Sequence, residues 1–250
     1  MCNRYVPDDN RGPGLATRLH PGTNFPPDKI GAFQDGPFIR VGTDGNLEQV
    51  IGQWGMIRPG APTRREKARD GRPLMTNNAR SESLASKPTF RDAWSRGQRC
   101  IIPAWSYDEP NWETGKNIWW SLRRATDDEG SAGSWAIGGL WSEWLDKDTG
   151  EVVPNYTMIT VNVDRHPLLG RLHKPDPKLP ADQQDKRGLV LLEPEELEPW
   201  LYGDDADAWR IIHTRMLPSV FDPSDAQRTD DILRALAHAP EHAPEQAPLI

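Results

Sequence analysis

The sequence predicts an α+β domain with most of its core in strands. Its 24 prolines and 21 glycines in 250 residues punctuate the chain too often for a helix bundle. Short runs rich in β-branched and aromatic residues alternate with turn-forming clusters through its middle. Helix-like segments are few and brief. A hydrophobic fraction of 36% and a charged fraction of 27% fit a packed globular core. Eleven tryptophans are many for this length. Rings that large bury much apolar area, so most belong to the core and the remainder are candidates for a binding surface.

Residues 3–35 read as loop-rich. Phe38–Val41 is a short strand, and Val50–Ile57 a strand interrupted by glycines. Residues 58–74 form an exposed basic loop carrying Arg58, Arg64, Arg65, Lys67, Arg69 and Arg72; such a run is either a solvated face or a phosphate contact. Phe90 and Trp94, spaced i,i+4 in Thr89–Ser95, predict a short helix with both rings buried on one face, stopped at Gly97. Cys100–Ala104, Ile118–Leu122, Trp135–Leu140 and Tyr156–Val161 are successive strands. The turns between them hold Asp-Glu-Pro-Asn, Asp-Asp-Glu-Gly and Asp-Lys-Asp-Thr-Gly. Asp164–Leu172 is a short helix and Leu189–Leu192 a strand. Pro194–Leu201 and Asp205–Ile212 are helices, the first opening on glutamates that complement its dipole. The domain is placed at 2–222. Residues 223–250 read as a flexible low-complexity tail ending in an Ala-Pro-Glu-His-Ala-Pro-Glu-Gln-Ala-Pro repeat.

A net charge of −7 and a pI of about 5.4 argue against a general nucleic-acid binder. The acidic residues crowd the C-terminal half, which leaves room for a local basic groove. No signal peptide or run of membrane-spanning length is visible. With only two cysteines there is no disulfide framework, and a soluble monomer of a reducing compartment is expected: cytoplasmic, or nucleoid-associated in a bacterium. Metal-ligand spacing, a phosphate-cradling glycine loop and a dinucleotide fingerprint are all missing, so no cofactor or metal is expected. Cys100, in Arg-Cys-Ile-Ile-Pro, is expected to be a buried, inert thiol.

Cys2 is different. Once Met1 is removed, it carries a free α-amine and a thiol on adjacent carbons. Such a 1,2-aminothiol condenses with an aldehyde to an imine, which the thiol closes to a five-membered thiazolidine. The amine titrates at about 7.7–8.0 and a free thiol at about 8.5, so both are near their working range. Read by position alone, Cys2 fits better a chance residue at a frayed terminus.

Several strings appear in order: Met-Cys-Asn-Arg-Tyr at the start, Trp54-Gly55-Met56-Ile57, Asn78-Ala79-Arg80-Ser81-Glu82, Arg99-Cys100-Ile101-Ile102-Pro103-Ala104 with Tyr107-Asp108-Glu109 beyond it, Gly139-Leu140-Trp141, Thr160, and His173-Lys174-Pro175. Together, across residues 2–201, they resemble the SRAP family (SOS response-associated peptidases, or abasic-site processing proteins). The resemblance implies one domain with a β-rich, barrel-like, partly open core and peripheral helices. It also implies binding to abasic sites in single-stranded DNA, a thiazolidine DNA–protein crosslink through Cys2 that shields the lesion, and an autoproteolytic activity that removes the leader. By the same resemblance Cys2, Asn78, Glu109 and His173 are catalytic, while Arg4, Trp54, Gly55 and Arg80 contact DNA, Trp54 as a wedge that stacks on bases.

This chain departs from the family in three places. Asn3 stands where glycine is usual. Pro110 follows Glu109 where an aromatic is commoner. The usual His-x-Arg-Met-Pro is replaced by His-Lys-Pro and a proline-rich acidic insertion, so the displaced arginine's phosphate contact passes to Lys174 or Arg187. Asp108 is the rival to Glu109, Asn77 to Asn78, and His166 to His173. Three other functions remain open: an N-terminal-nucleophile amidohydrolase, a Cys–His protease using Cys100, and a non-catalytic single-strand-binding module.

Overall fold

The computed structural model describes residues 2–8, 29–126, 133–214 and 216–238. The segment 9–28, the expected Asp-Asp-Glu-Gly turn within 127–132, and the terminal repeat within 239–250 lie outside them.

Among the described residues eleven strands follow in order: β1 (Arg4–Pro7), β2 (Ile30–Gly31), β3 (Asp35–Val41), β4 (Leu47–Trp54), β5 (Asn78–Arg80), β6 (Arg99–Asn111), β7 (Ile118–Leu122), β8 (Trp135–Leu145), β9 (Val152–Asn162), β10 (Arg187–Leu189) and β11 (Leu191–Leu192). The helices are α1 (Arg91–Ser95), α2 (Leu197–Tyr202), α3 (Asp205–Ile212) and α4 (Ser224–His238). β6, β3, β4, β9 and β8 pair successively, and β8 pairs back onto β6, which closes a five-stranded ring. The barrel-like core is therefore as expected, and it closes. Two seams of the ring are short: β3 meets β6 in register at Ile39 opposite Ile101, and β4 runs parallel to β9 at Gln53 and Trp54 opposite Asn155 and Tyr156.

Side-chain alternation along these strands fills two apolar regions. One holds Tyr5, Trp54, Cys100, Tyr107, Trp120, Trp135 and Tyr156. In the other, Ile39, Ile101, Leu140 and Ile159 pack beneath Trp94, Trp200 and Ile211 from the helices. Phe90 and Trp94 are both buried, as their spacing requires, and Gly97, with φ of 64°, ends the α1 turn in the left-handed region. The central strands run beyond their apolar stretches. β6 extends to Asn111 because Ser106, Asp108, Glu109 and Asn111 are buried polar groups inside a strand. β1, β2 and β5 lie within segments read as loop or polar; β2 and β5 are edge strands, and β1 is held between β6 and β2.

The tail expected from residue 223 instead begins with α4. Asp222 Oδ1 accepts from the backbone N–H of Ser224 at 2.9 Å and so opens the helix. Its inner face presents only Ala226 and Thr229, too small to register as an apolar stripe. Trp120 Nε1 donates to the Thr229 hydroxyl at 2.9 Å, Ser121 N–H to Asp225 at 2.6 Å, and Asp230 pairs with Arg171 at 2.5 Å. Deleting residues 223–250 is expected to lower unfolding free energy by about 2–4 kcal/mol, from re-exposed apolar area and orphaned donors. Urea denaturation reads this directly; an unchanged midpoint would contradict it.

Candidate active site around Cys2

β1 lies antiparallel to β6, with Arg4 opposite Asp108 and Tyr5 opposite Tyr107. The chain's start therefore runs alongside the Glu109 end of β6. Alternation sends Tyr107 and Glu109 to the inner face and Asp108 to the outer one. This separates the two acidic candidates. Glu109 is buried and its Oε2 lies 2.8 Å from His173 Nε2. Asp108 instead holds Lys29 at 2.7 Å and Arg4 at 3.2 Å.

Cys2 is fully buried among aromatic side chains, and its thiol donates to the Arg4 carbonyl at 3.3 Å. Burial, and after it the negative charge of Glu109, push this thiol up in pKa. It is thus held protonated at neutral pH beside a carboxylate. The Cys2 carbonyl accepts from Asn78 Nδ2 at 2.5 Å and from Asn77 Nδ2 at 3.2 Å. Both asparagines grip it, so Asn77 and Asn78 act together rather than as alternatives. Asn78 Oδ1 is buried with no hydrogen-bond partner among the described residues, as is the Tyr107 hydroxyl. Tyr107, two residues before Glu109 on the same face, stands in the Tyr107-Asp108-Glu109 string but has no role in the sequence reading; its i,i+2 spacing from Glu109 is the signal that it shares that face.

Trp54 is fully buried, and its ring N–H donates to the Asn77 carbonyl at 2.8 Å. It cannot stack on a base from there. It belongs to the core and fixes the loop that grips Cys2. Gly55 is also buried: a Cβ there would come within 2.6 Å of the Phe33 ring, and its φ of 154° disfavours a side chain, so the glycine serves packing rather than DNA contact. Arg187 is displaced from its expected role too. It is buried, with both terminal nitrogens 2.9 Å from Glu82, one 3.1 Å from Asp185, and a bond to the Thr160 carbonyl at 2.8 Å. With its fork committed, it ties β10 to the turn after β5. Arg187→Met is expected to lower stability by about 1–3 kcal/mol and leave the chemistry of the folded fraction unchanged. Paired denaturation and activity assays check this, and lost activity at full stability would overturn it.

The other cations lie at the surface. Arg4 is partly exposed, with its guanidinium 4.3 Å from the centre of Trp119, itself an exposed ring. Arg80 pairs with Asp185 at 2.8 Å, and Lys174 sits 5.1 Å over Trp112. His166 is structural: it is buried, and its Nδ1 accepts from the backbone N–H of Leu168 and Leu169 at 3.2 and 3.0 Å. Cys100 is fully buried, its thiol pushed up by burial, as expected of an inert cysteine. Of the basic loop, Arg64, Arg65 and Lys67 line an open groove with Phe33, Gln34 and Gln53. Among the described residues no three His, Cys, Asp or Glu side chains are grouped to hold a metal ion.

Residues 1–229 match the family model described as SOS response associated peptidase (SRAP). The chain belongs to the SRAP family. It is 29% identical over 176 residues to abasic site processing protein YoqW of Bacillus subtilis (strain 168), covering 68% of this chain and 69% of that protein. It is equally similar to abasic site processing protein YobE of the same organism, at 29% over 176 residues, covering 68% of this chain and 71% of that one. A crystal structure of a protein from Bordetella bronchiseptica is also similar, with a TM-score of 0.71, 30% identity, and coverage of 88% of this chain and 97% of that one. A second, from Bacteroides thetaiotaomicron, has a TM-score of 0.59 and 26% identity, covering 78% of this chain and 75% of that one. The SRAP match includes the first turns of α4, in keeping with their packing on β7.

Proposed function

We propose that this SRAP protein captures abasic sites in single-stranded DNA as a thiazolidine on Cys2. The relatives' names supply the lesion. The observation that carries the chemistry is that an asparagine pair grips the Cys2 carbonyl and the charge of buried Glu109, hydrogen-bonded to half-buried His173, acts on its thiol, whereas the Cys100 thiol has burial and the charge of Arg40 acting on it.

The reaction needs the α-amine of Cys2, hence removal of Met1; the family's peptidase description fits cleavage of that bond. The amine adds to the sugar aldehyde carbon, a C–N bond forms, and water leaves to give an imine. The thiol sulfur then adds to the same carbon, and the thiol proton ends on the ring nitrogen. The sum is aldehyde plus aminothiol giving thiazolidine plus water. Glu109 takes the thiol proton and returns it to nitrogen. His173, hydrogen-bonded to Glu109, protonates the sugar oxygen as the ring opens. Asn78 Oδ1 accepts from the freed α-amine or from a sugar hydroxyl. Arg4, Arg80 and Lys174 meet the flanking phosphates. The groove of Arg64, Arg65 and Lys67 extends from the turn after β2, the strand beside β1, and gives the DNA strand a basic track, with Arg65 lying over the half-buried Phe33 ring.

Intact-protein mass spectrometry after incubation with a single-stranded oligonucleotide carrying one abasic site tests the reading. Loss of Met1 and a gain of one oligonucleotide minus water are expected. A processed Cys2 with no adduct would overturn it.

A further inference from the structure

Between His173 and Lys186 the chain makes a proline-rich excursion that closes on itself. Gln184 Nε2 donates to the carbonyls of Asp176, Leu179 and Pro180, and its Oε1 accepts from Asp176 N–H at 2.7 Å. Compact loops with nearby ends, packed by their own side chains, are often functional. The neck of this one is fastened at an informative place. Lys186 is buried, and its Nζ donates to the His173 carbonyl at 2.6 Å. The Lys186 backbone is fixed in turn: its N–H donates to Asp164 Oδ1 at 2.6 Å and its carbonyl accepts from Val163 at 2.8 Å.

His173 needs such support. Its φ of 63° places a non-glycine residue in the left-handed region. Residues in sparsely populated backbone regions persist where their surroundings over-determine them. Its N–H donates to the Pro110 carbonyl at 2.6 Å, and its Nε2 meets Glu109. The backbone is thus clamped from β6 on one side and by the Lys186 ammonium on the other, and the ring projects from between the two clamps onto the carboxylate. Burial lowers the Lys186 pKa, with Asp164 and Glu113 opposing; protonated or neutral, the amine remains a donor.

We propose that Lys186 is a positioning residue of the reaction: it locks the His173 backbone so that the imidazole faces Glu109. This assigns a purpose to the excursion, which returns a lysine that acts on the histidine's main chain. The inference rests on the thiazolidine reading for its kinetic consequence but not for its structural one, so two experiments separate them.

The first is single-turnover crosslinking of the Met1-processed full chain to an abasic oligonucleotide, with Lys186→Met and Lys186→Arg each made in the wild-type and His173→Ala backgrounds. Lys186→Met is expected to lower the maximal rate at least about tenfold while leaving the half-saturating DNA concentration unchanged. Lys186→Arg, which keeps a donor, recovers most of the rate. In the His173→Ala background Lys186→Met adds no further loss, because both act through one group. A Lys186→Met rate equal to wild type, a loss confined to half-saturation, or the same fold-loss in both backgrounds would overturn the inference. The second experiment is amide hydrogen exchange at His173, which needs no activity. Its N–H is expected to lose protection in Lys186→Met and keep it in Lys186→Arg; unchanged protection in both would overturn the positioning role whatever the crosslinking shows. A wild-type chain that forms no adduct would count against the functional reading alone.

Discussion

Cys2→Ala is expected to abolish covalent capture of an abasic oligonucleotide, with no residual adduct by mass or denaturing gel. The freed terminus of the variant still has an α-amine, so it still forms an imine. An imine hydrolyses readily, and only the thiol's attack turns it into a ring that survives denaturation. Cys2→Ser sharpens the test: its adduct should appear only after borohydride reduction, because its hydroxyl is a poorer second nucleophile. Cys100 cannot substitute, since it is fully buried and carries no free amine. A protein that keeps Met1 should behave like Cys2→Ala despite an intact thiol, because the amine then belongs to the wrong residue. Loss of a buried sulfur costs on the order of 1 kcal/mol, so thermal melts should show each variant folded. An adduct of wild-type yield from Cys2→Ala would move the chemistry to another amine and defeat the assignment.

The fold class was legible because strands with apolar runs announce themselves. Ile118–Leu122 and Asp205–Ile212 match their expected bounds. What could not be read follows from two physical conditions. Strands such as β1 and β5 are too short to show an apolar run, yet they carry Arg4 and Asn78. Buried polar residues break the apolar pattern: β6 looks finished at Ala104, but its continuation holds Tyr107 and Glu109 inside the protein. A strand that carries candidate site residues is therefore hard to read where it matters most. The roles of large and long side chains were also ambiguous. Trp54 has the composition of a wedge and the position of a core residue. Arg187 has the charge of a phosphate ligand, and Glu82 and Asp185 already occupy it. Sequence says which groups exist; only pairing register says which of them have chemistry left to do. Lys186 shows the converse, since nothing in Asp-Lys-Arg-Gly marks that lysine as the one that returns to His173.

Glu109→Gln is expected to move two observables in opposite directions. Crosslinking should slow by about 10²–10⁴-fold, the usual cost of losing a positioned proton carrier. The thiol should become more reactive towards a small alkylating reagent. The sign follows from the geometry: the Glu109 charge is the second cause, after burial, that raises the Cys2 thiol pKa. A neutral amide removes that repulsion of the thiolate, so the pKa falls and the thiolate fraction at a given pH rises. General unfolding would accelerate alkylation at Cys100 as well, so Cys100 labelling serves as the control, and it should not change. Release tests the same residue in reverse. Ring opening requires the nitrogen proton to return to sulfur, and by microscopic reversibility the group that assists closure assists opening. A preformed crosslink should therefore dissociate more slowly from Glu109→Gln than from wild type. If closure slowed while release kept its wild-type rate, Glu109 would be arranging the substrate rather than moving the proton. If alkylation at Cys2 slowed instead, the carboxylate would be activating the thiol through a contact that outweighs its charge.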